Sequence, residues 1–159
     1  MNLTYSIQVC NESRELYSLL DFLIKLKEKD DVINVVVDSL HTTEKVKMVT
    51  DNFKDYIHVF ERPFDNFPNN ARFHLEKCDT DYIFQVDADE MPQEALIRNI
   101  KNMLDKSEAE IVYIPRINLH PGITERELQA HKFNINDAGM INWPDYQGRI
   151  LKICENVTW

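Results

Sequence analysis

The chain has 159 residues, of which 43% are hydrophobic and 28% are charged, and these values predict one globular domain rather than a disordered chain. Its 18 basic and 27 acidic residues give a net charge of -9 at pH 7, which disfavours a nucleic-acid partner. No apolar run reaches the about 18 residues of a membrane span and no secretion signal is visible, so we expect a cytoplasmic protein without a transmembrane segment.

Short apolar segments alternate with segments of helical periodicity over most of the chain. The strand-like segments are rich in β-branched residues, and the helical ones repeat an apolar residue every three or four positions. This alternation predicts an α/β fold with a largely parallel sheet. In chain order, strands are expected at 4–10, 32–37, 56–60, 82–86 and 111–117, and helices after Ser13, from Thr43, at 69–78 and from Pro92 to Leu104.

The ends of the elements carry further expectations. Asn11 or Ser13 is predicted to cap the first helix through its side chain. Beyond residue 117 the pattern loosens, and we expect an amphipathic stretch within 118–142 and a strand at 132–135. The segment 143–151 is predicted to be a turn that enters a final strand.

Glycine is scarce, and this scarcity excludes several enzyme classes. Only Gly122, Gly139 and Gly148 occur, so neither of the glycine-rich phosphate-binding loops, G-x-G-x-x-G or G-x-x-x-x-G-K-[ST], is present. Dinucleotide-binding dehydrogenases and P-loop NTPases are therefore excluded. The absence of G-x-S-x-G and H-E-x-x-H likewise excludes an esterase elbow and a zincin helix.

An acidic segment, Asp87-Ala-Asp89-Glu90, directly follows the predicted strand at 82–86. Ligands of parallel sheets collect at the carboxyl ends of strands. Two carboxylates separated by one residue point the same way if the strand continues, and they can then share a hard cation. Three carboxylates this close also repel one another. On spacing alone, a metal site and a solvated acidic loop both remain open.

Other polar and aromatic residues also have two interpretations each. Asp38 follows the strand at 32–37, where a carboxylate either caps the next helix or accepts hydrogen bonds from a base or a ribose. Asn11-Glu12 follows the first strand as a capping pair. Trp143 and Tyr146 belong either to the core or to a surface that stacks on a sugar or a base.

Five segments occur in a particular order along the chain. They are Asn11-Glu12 after the first strand, Val35-Val-Val-Asp-Ser39 followed by Thr42-Thr43, Phe64-Asp-Asn-Phe67, Asp81-Tyr-Ile-Phe-Gln-Val-Asp-Ala-Asp-Glu90, and Trp143-Pro-Asp-Tyr-Gln-Gly-Arg-Ile-Leu151. Any one of them is a weak signal, whereas the five together are specific. In this order the chain resembles the family 2-like glycosyltransferases over essentially its whole length.

The resemblance implies the GT-A fold, a Rossmann-like three-layer α/β/α domain covering residues 1–159. It implies an inverting, metal-dependent transfer of sugar from a UDP- or GDP-sugar to a glycan or another hydroxyl acceptor. Residues 1–117 would hold the donor, and 118–159 would form an incomplete acceptor part. The implied nucleotide contacts are Asn11, Glu12, Asp38, Arg72 and Asp87, the ligands of Mn²⁺ or Mg²⁺ are Asp87 and Asp89, and the acceptor-side residues are Glu90, Trp143, Tyr146 and Arg149.

The sequence also departs from the family pattern. Arg72 alone stands where the family often has an Arg-Asn pair, and the chain ends at Trp159, just before the family's His-Glu pair. We therefore expect a chain cut short before that pair, in which the catalytic base is unknown and only Asp145 and Glu155 are candidates. A non-catalytic nucleotide-sugar-binding domain is the alternative, and a nucleotidyltransferase is disfavoured because it usually has a glycine-rich signature.

Overall fold

A computed structural model of the protein describes residues 1–107 and 109–154. It contains a single six-stranded sheet with the strand order β3-β2-β1-β4-β6-β5. The elements are β1 (Leu3–Val9), α1 (Ser13–Leu26), β2 (Val32–Asp38), α2 (Glu44–Asn52), β3 (His58–Arg62), α3 (Phe67–Glu76), β4 (Tyr82–Asp87), α4 (Glu94–Asp105), β5 (Ile111–Asn118), α5 (Glu125–His131) and β6 (Ile141–Lys152).

The sheet is mostly parallel, as the alternation of elements predicted. β1 pairs in parallel with both β2 and β4, and β2 pairs in parallel with β3. β6 is antiparallel to its two neighbours, β4 and β5. The chain leaves β1 toward β2 on one side and later returns to β4 on the other side. The carboxyl ends of β1 and β4 therefore border the crevice in which α/β sheets bind ligands.

One face of the sheet carries the main hydrophobic core. Alternate residues of β1 point to this face, because successive side chains of a strand point to opposite sides. They pack against the apolar stripes of α1, α2 and α4 in one continuous cluster. The buried members on these elements are Leu3, Tyr5, Ile7, Val9, Leu16, Leu19, Leu20, Leu23, Val46, Val49, Ile97, Ile100 and Leu104.

The opposite face is polar along β1, and α3 covers it. Ser6 Oγ lies 2.6 Å from His74 Nδ1, and the Asn70 side-chain amide donates to Gln8 Oε1 at 2.7 Å. Ser6, Asn70 and His74 are all buried. Hydrogen bonds therefore dock this helix to β1, and Leu75 adds packing against a smaller apolar cluster.

Helix starts are only partly as predicted. Thr43 caps α2, since its side chain accepts from the amide of Val46. The expectation that Asn11 or Ser13 caps α1 is wrong, because Glu12 occupies the cap position and no side chain caps the helix. The Glu12 carboxylate instead accepts from the amides of Cys10 and Asn11, at the end of β1. α3 starts at Phe67 rather than at 69, because Asn66 caps it.

Two expectations for the last quarter are also wrong. The predicted strand at 132–135 is reduced to one bridge between Ile135 and Ile141. The predicted turn at 143 lies inside β6, which starts at Ile141. The amphipathic stretch is α5, whose start has a reciprocal capping box between Thr124 and Glu127. Among the described helices, none has the length and apolar character needed to span a membrane.

The polar docking of α3 predicts a pH dependence of stability. Burial lowers the pKa of His74 to about 4, whereas a histidine in an unfolded chain has a pKa of about 6.5. As the pH falls, the unfolded chain binds the proton first, so stability is lost between these two values. We expect the free energy of unfolding to fall by about 2 kcal/mol between pH 7 and pH 5 through this residue.

Urea unfolding at the two pH values checks this expectation. His74→Gln should lose the His74 contribution to the pH dependence, and His131→Gln, a change at an exposed residue of α5, should keep it. An unchanged pH dependence in His74→Gln would show that the buried imidazole is not its source.

Candidate functional site

The loops that follow β1, β2 and β4 bring three of the sequence-predicted segments to one edge of the sheet. They are Asn11-Glu12, Asp38 and 87–90. A cavity of about 250 Å³ lies beside them, between α3 and strands β1, β4 and β6. Of the predicted site residues, Asp87 and Arg149 line this cavity.

The acidic segment forms a turn rather than an extension of β4. The amide of Glu90 donates to the Asp87 carbonyl at 2.9 Å, and the amide of Asp87 donates to Glu90 Oε2 at 3.3 Å. The strand therefore ends at Asp87. Asp87 and Asp89 would point the same way only if the strand continued, and it does not. Glu90 folds back toward Asp87, while Asp89 is exposed.

Arg149 pairs with the two carboxylates that face each other in this turn. Its Nη2 lies 2.5 Å from Glu90 Oε1 and 3.2 Å from Asp87 Oδ2. The arginine comes from β6, which lies beside β4 in the sheet, and only 15% of its side chain is exposed. Arg149, which was predicted for the acceptor side, is thus the counter-ion of the acidic segment. Its positive charge offsets part of the repulsion expected among three close carboxylates.

Glu90 is a partly buried carboxyl group, with 23% of its side chain exposed. Burial raises the pKa of Glu90 above its usual value, Arg149 lowers it and the neighbouring Asp87 raises it. The upward effects prevail. Arg149 thus opposes part of the effect of burial on the pKa of Glu90.

Arg116 is a site residue that the sequence reasoning missed. It comes from β5 and lines the cavity. Its guanidinium pairs with Asp145 Oδ2 through Nε at 3.0 Å and Nη2 at 2.8 Å, and its Nη1 lies 3.4 Å from Glu90 Oε1. A lone arginine within an otherwise mainly apolar strand, Ile111–Asn118, was the signal available in the sequence.

Asp145 is held by several donors and is a poor proton acceptor. Asn118 and Gln147 donate to its two oxygens at 2.9 and 2.7 Å, in addition to Arg116. The hydrogen bond from Asn118 lowers the pKa of Asp145 most; burial opposes this effect, and Gln147 and Arg116 add to it. A general base works best with a pKa near the working pH, so this geometry disfavours Asp145 as the base. Glu155, the other candidate, lies outside the described residues, as does Trp159.

Asp38 connects two loops at the edge of the sheet. Its Oδ1 accepts from the amides of Leu40 and Phe64, both at 3.1 Å, and its Oδ2 accepts from His41 Nδ1 at 2.7 Å. Burial alone would raise the pKa of Asp38, but these hydrogen bonds, led by that of His41, bring it below its usual value. The carboxylate does not cap α2, because Thr43 does so.

The remaining predicted residues are more exposed. Asn11 is exposed, and Glu12 is half-buried with its carboxylate turned to the loop amides. Arg72 is on the exposed side of α3 and does not line the cavity. Trp143 and Tyr146 expose 42% and 61% of their surface.

The acidic segment fits a metal that is shared with a ligand. Within residues 1–107 and 109–154, no three His, Cys, Asp or Glu side chains form a group that could hold a metal ion alone. Asp89 makes no side-chain hydrogen bond or ion pair in the described part of the chain, and 47% of the Asp87 side chain is exposed. Mg²⁺ commonly binds through one or two carboxylates together with substrate phosphates, and these two residues meet that requirement.

The sequence matches the family model of glycosyl transferase family 2 over residues 6–153. No curated protein matches it. Solved structures with a similar fold include the following three. S. aureus TarS 1-349 matches with a TM-score of 0.64 and 12% identity over 96% of this chain, and the same protein in complex with UDP-GlcNAc gives a TM-score of 0.62 and 13% identity over 78%. The mannosyltransferase PcManGT from Pyrobaculum calidifontis, in complex with GDP-Man and Mn²⁺, gives a TM-score of 0.58 and 17% identity over 72%.

These three structures are considerably longer than the present chain. The matched region covers 47% and 36% of the two TarS structures and 35% of the mannosyltransferase. At these identities the likeness establishes the fold, and the expected GT-A architecture is confirmed.

The pairing of Arg149 with Glu90 leads to a prediction. Arg149→Met removes the cation nearest to Glu90, so the pKa of Glu90 should rise further. Carboxyl-detected NMR titration of glutamate-labelled protein measures this shift. Arg116→Met is the matched control and should give a smaller rise, because Arg116 is farther from Glu90 and more exposed. Equal shifts in the two variants would contradict the geometry.

Proposed function

The chain belongs to glycosyl transferase family 2, and from this premise we propose that it transfers a sugar from a nucleoside-diphosphate donor to a hydroxyl acceptor. The observation that carries the proposal is the position of the acidic turn 87–90. It lies at the carboxyl end of β4, beside the point where the strand order changes direction and next to a polar cavity. A diphosphate brought there by a cation would have its sugar close to the cavity.

The nucleoside is proposed to bind over the loops after β1 and β2. Among the residues of these loops, Asp38 has the strongest structural support for this role. Its orientation is fixed by two amides and His41, and a carboxylate has about four lone-pair sites. It therefore keeps acceptor capacity for a base N–H or a ribose hydroxyl. Asn11 and Glu12 are proposed to border the nucleoside, and Arg72 to contact the diphosphate.

Asp89 and Asp87 are proposed to hold Mn²⁺ or Mg²⁺. When bound, the ion would neutralise charge on the leaving diphosphate. Similar structures were solved with UDP-GlcNAc and with GDP-Man and Mn²⁺, which supports a UDP- or GDP-sugar as the donor and a divalent cation as its partner. Arg149 pairs with Asp87 through Oδ2 and would orient this carboxylate for the ion.

The acceptor is proposed to approach from β6, with inversion at the anomeric carbon. Trp143 and Tyr146 present exposed aromatic surface on this strand, and such surface suits contact with a glycan. Between them lies Asp145, which Arg116 and its other partners hold in place. Asp145 links β6 to β5 through Arg116 and Asn118, and it is not proposed to remove the proton of the acceptor hydroxyl.

The metal role of Asp89 can be tested by binding. We expect Mn²⁺ to increase the affinity for UDP or GDP at least about tenfold, equivalent to about 1.4 kcal/mol, and Asp89→Asn to remove most of this gain. Calorimetric titration with and without Mn²⁺ measures both effects. Asp55→Asn is the control, because it removes another exposed carboxylate at the amino end of β3. Full metal dependence in Asp89→Asn would favour a solvated acidic loop.

The nucleoside role of Asp38 gives a second prediction. Asp38→Asn keeps the size of the side chain but loses its charge, so nucleotide affinity should fall, with a stability loss of about 1–3 kcal/mol for the disturbed hydrogen bonds. Thr43→Ala is the control: it should cost about 1 kcal/mol as a lost helix cap and leave affinity unchanged. Calorimetry and urea unfolding measure the two quantities. Wild-type affinity in Asp38→Asn would leave this aspartate a purely structural residue.

A further inference from the structure

The cavity beneath α3 has room for only part of a nucleotide sugar. Its volume of about 250 Å³ is below the range of about 300–1,000 Å³ that is usual for pockets enclosing a whole ligand. It extends from Asp87 and Arg149 at the acidic turn to Ser6 and His74 under the helix. A group attached to a diphosphate at the turn would therefore enter the cavity, while the nucleoside stays outside.

The inner part of the cavity is lined by neutral polar side chains with hydrogen-bonding capacity to spare. Asn70 uses its amide nitrogen toward Gln8, and His74 uses Nδ1 toward Ser6. Within the described residues, three groups of the lining make no hydrogen bond: Asn70 Oδ1, His74 Nε2 and the side-chain amide of Gln85. These atoms are accessible from open space. Amides and a neutral imidazole offer both donors and acceptors, which is what sugar hydroxyls require.

The charged side chains that line the cavity are already paired. Arg149 binds Glu90 and Asp87, and Arg116 binds Asp145 and Glu90. Three carboxylates, those of Asp87, Glu90 and Asp145, therefore surround the two guanidinium groups, and a ligand carboxylate would add a fourth negative charge. Placing an anionic group in this cavity would add repulsion from these carboxylates or require breaking one of the ion pairs, and both are unfavourable.

We propose that this cavity receives the glycosyl group of the donor and selects an uncharged, hydroxyl-rich sugar against a uronic acid. The inference rests on the proposed function and deepens it by naming the class of sugar. Neutral amides and His74 recognise hydroxyl groups, and the excess of carboxylates over guanidinium groups around the cavity disfavours a ligand carboxylate.

Two pairs of ligands test the selection, since the members of each pair differ only at carbon 6 of the sugar. UDP-glucose is compared with UDP-glucuronate, and GDP-mannose with GDP-mannuronate, by calorimetry of the wild-type chain with Mn²⁺. We expect the neutral sugar of the pair with the preferred base to bind at least about tenfold more tightly, or about 1.4 kcal/mol. Equal or tighter binding of the uronate would overturn the inference and leave the proposed function intact. Failure of UDP, GDP and all four sugars to bind would overturn the proposed function and this inference with it.

A charge introduced into the cavity provides the second arm. Gln85→Lys adds a third cation to the lining and so offsets the excess of carboxylates. The ratio of the affinity for the neutral sugar to that for the uronate should therefore fall at least about tenfold. Gln129→Lys makes the same change on the exposed surface of α5, outside the cavity lining, and should leave the preference unchanged. Thermal unfolding checks that both variants fold. If Gln85→Lys does not fold, the comparison of the four ligands with the wild-type chain tests the inference by itself. An unaltered preference in folded Gln85→Lys would show that the sugar binds elsewhere.

Discussion

The ion pair between Arg149 and the acidic turn is the interaction on which the site depends. Three carboxylates within four residues repel one another, and burial of Glu90 adds to the cost of keeping it charged. The arginine of β6 contacts both Glu90 and Asp87 and so allows the turn to be compact. Asp89 remains outside this pairing and exposed. Within the acidic segment, Asp87 and Glu90 are thus held by the arginine, whereas Asp89 is open to a cation.

The two faces of the sheet have different roles, because one contributes to the main hydrophobic core and the other contributes polar groups to the cavity. On one face, β1 contributes four buried apolar residues to the core beneath α1, α2 and α4. On the other, the same strand turns Ser6 and Gln8 toward His74 and Asn70 of α3. Buried polar groups must be paired, and here their pairing both docks the helix and leaves hydrogen-bonding groups at a cavity. The antiparallel strand β6 then closes the cavity with Arg149.

The sequence predicted regular elements better than their ends. Helix and strand periodicities depend on local spacing, which is why the positions of β1 to β5 and α1 to α4 are close to those expected. Caps depend on side-chain direction: the Glu12 carboxylate turns back to the amides of the loop after β1, and the expected cap from Asn11 or Ser13 did not form. Arg116 was missed for a related reason. Its partners, Asp145 and Glu90, are far from it in sequence, and only the sheet brings them together.

The sequence by itself determined the α/β class, the family resemblance and the segments that meet at the carboxyl ends of the strands. These follow from periodicity and from short motifs, each of which is a local property of the chain. The tertiary structure alone decided that Arg149 serves the acidic turn, that Asp145 is held in an ion pair, and that neutral side chains line a cavity under α3. These features depend on the strand order and on which face of the sheet each residue occupies. Local spacing does not encode them, because hydrogen-bonded neighbours such as β4 and β6 are more than fifty residues apart in the chain.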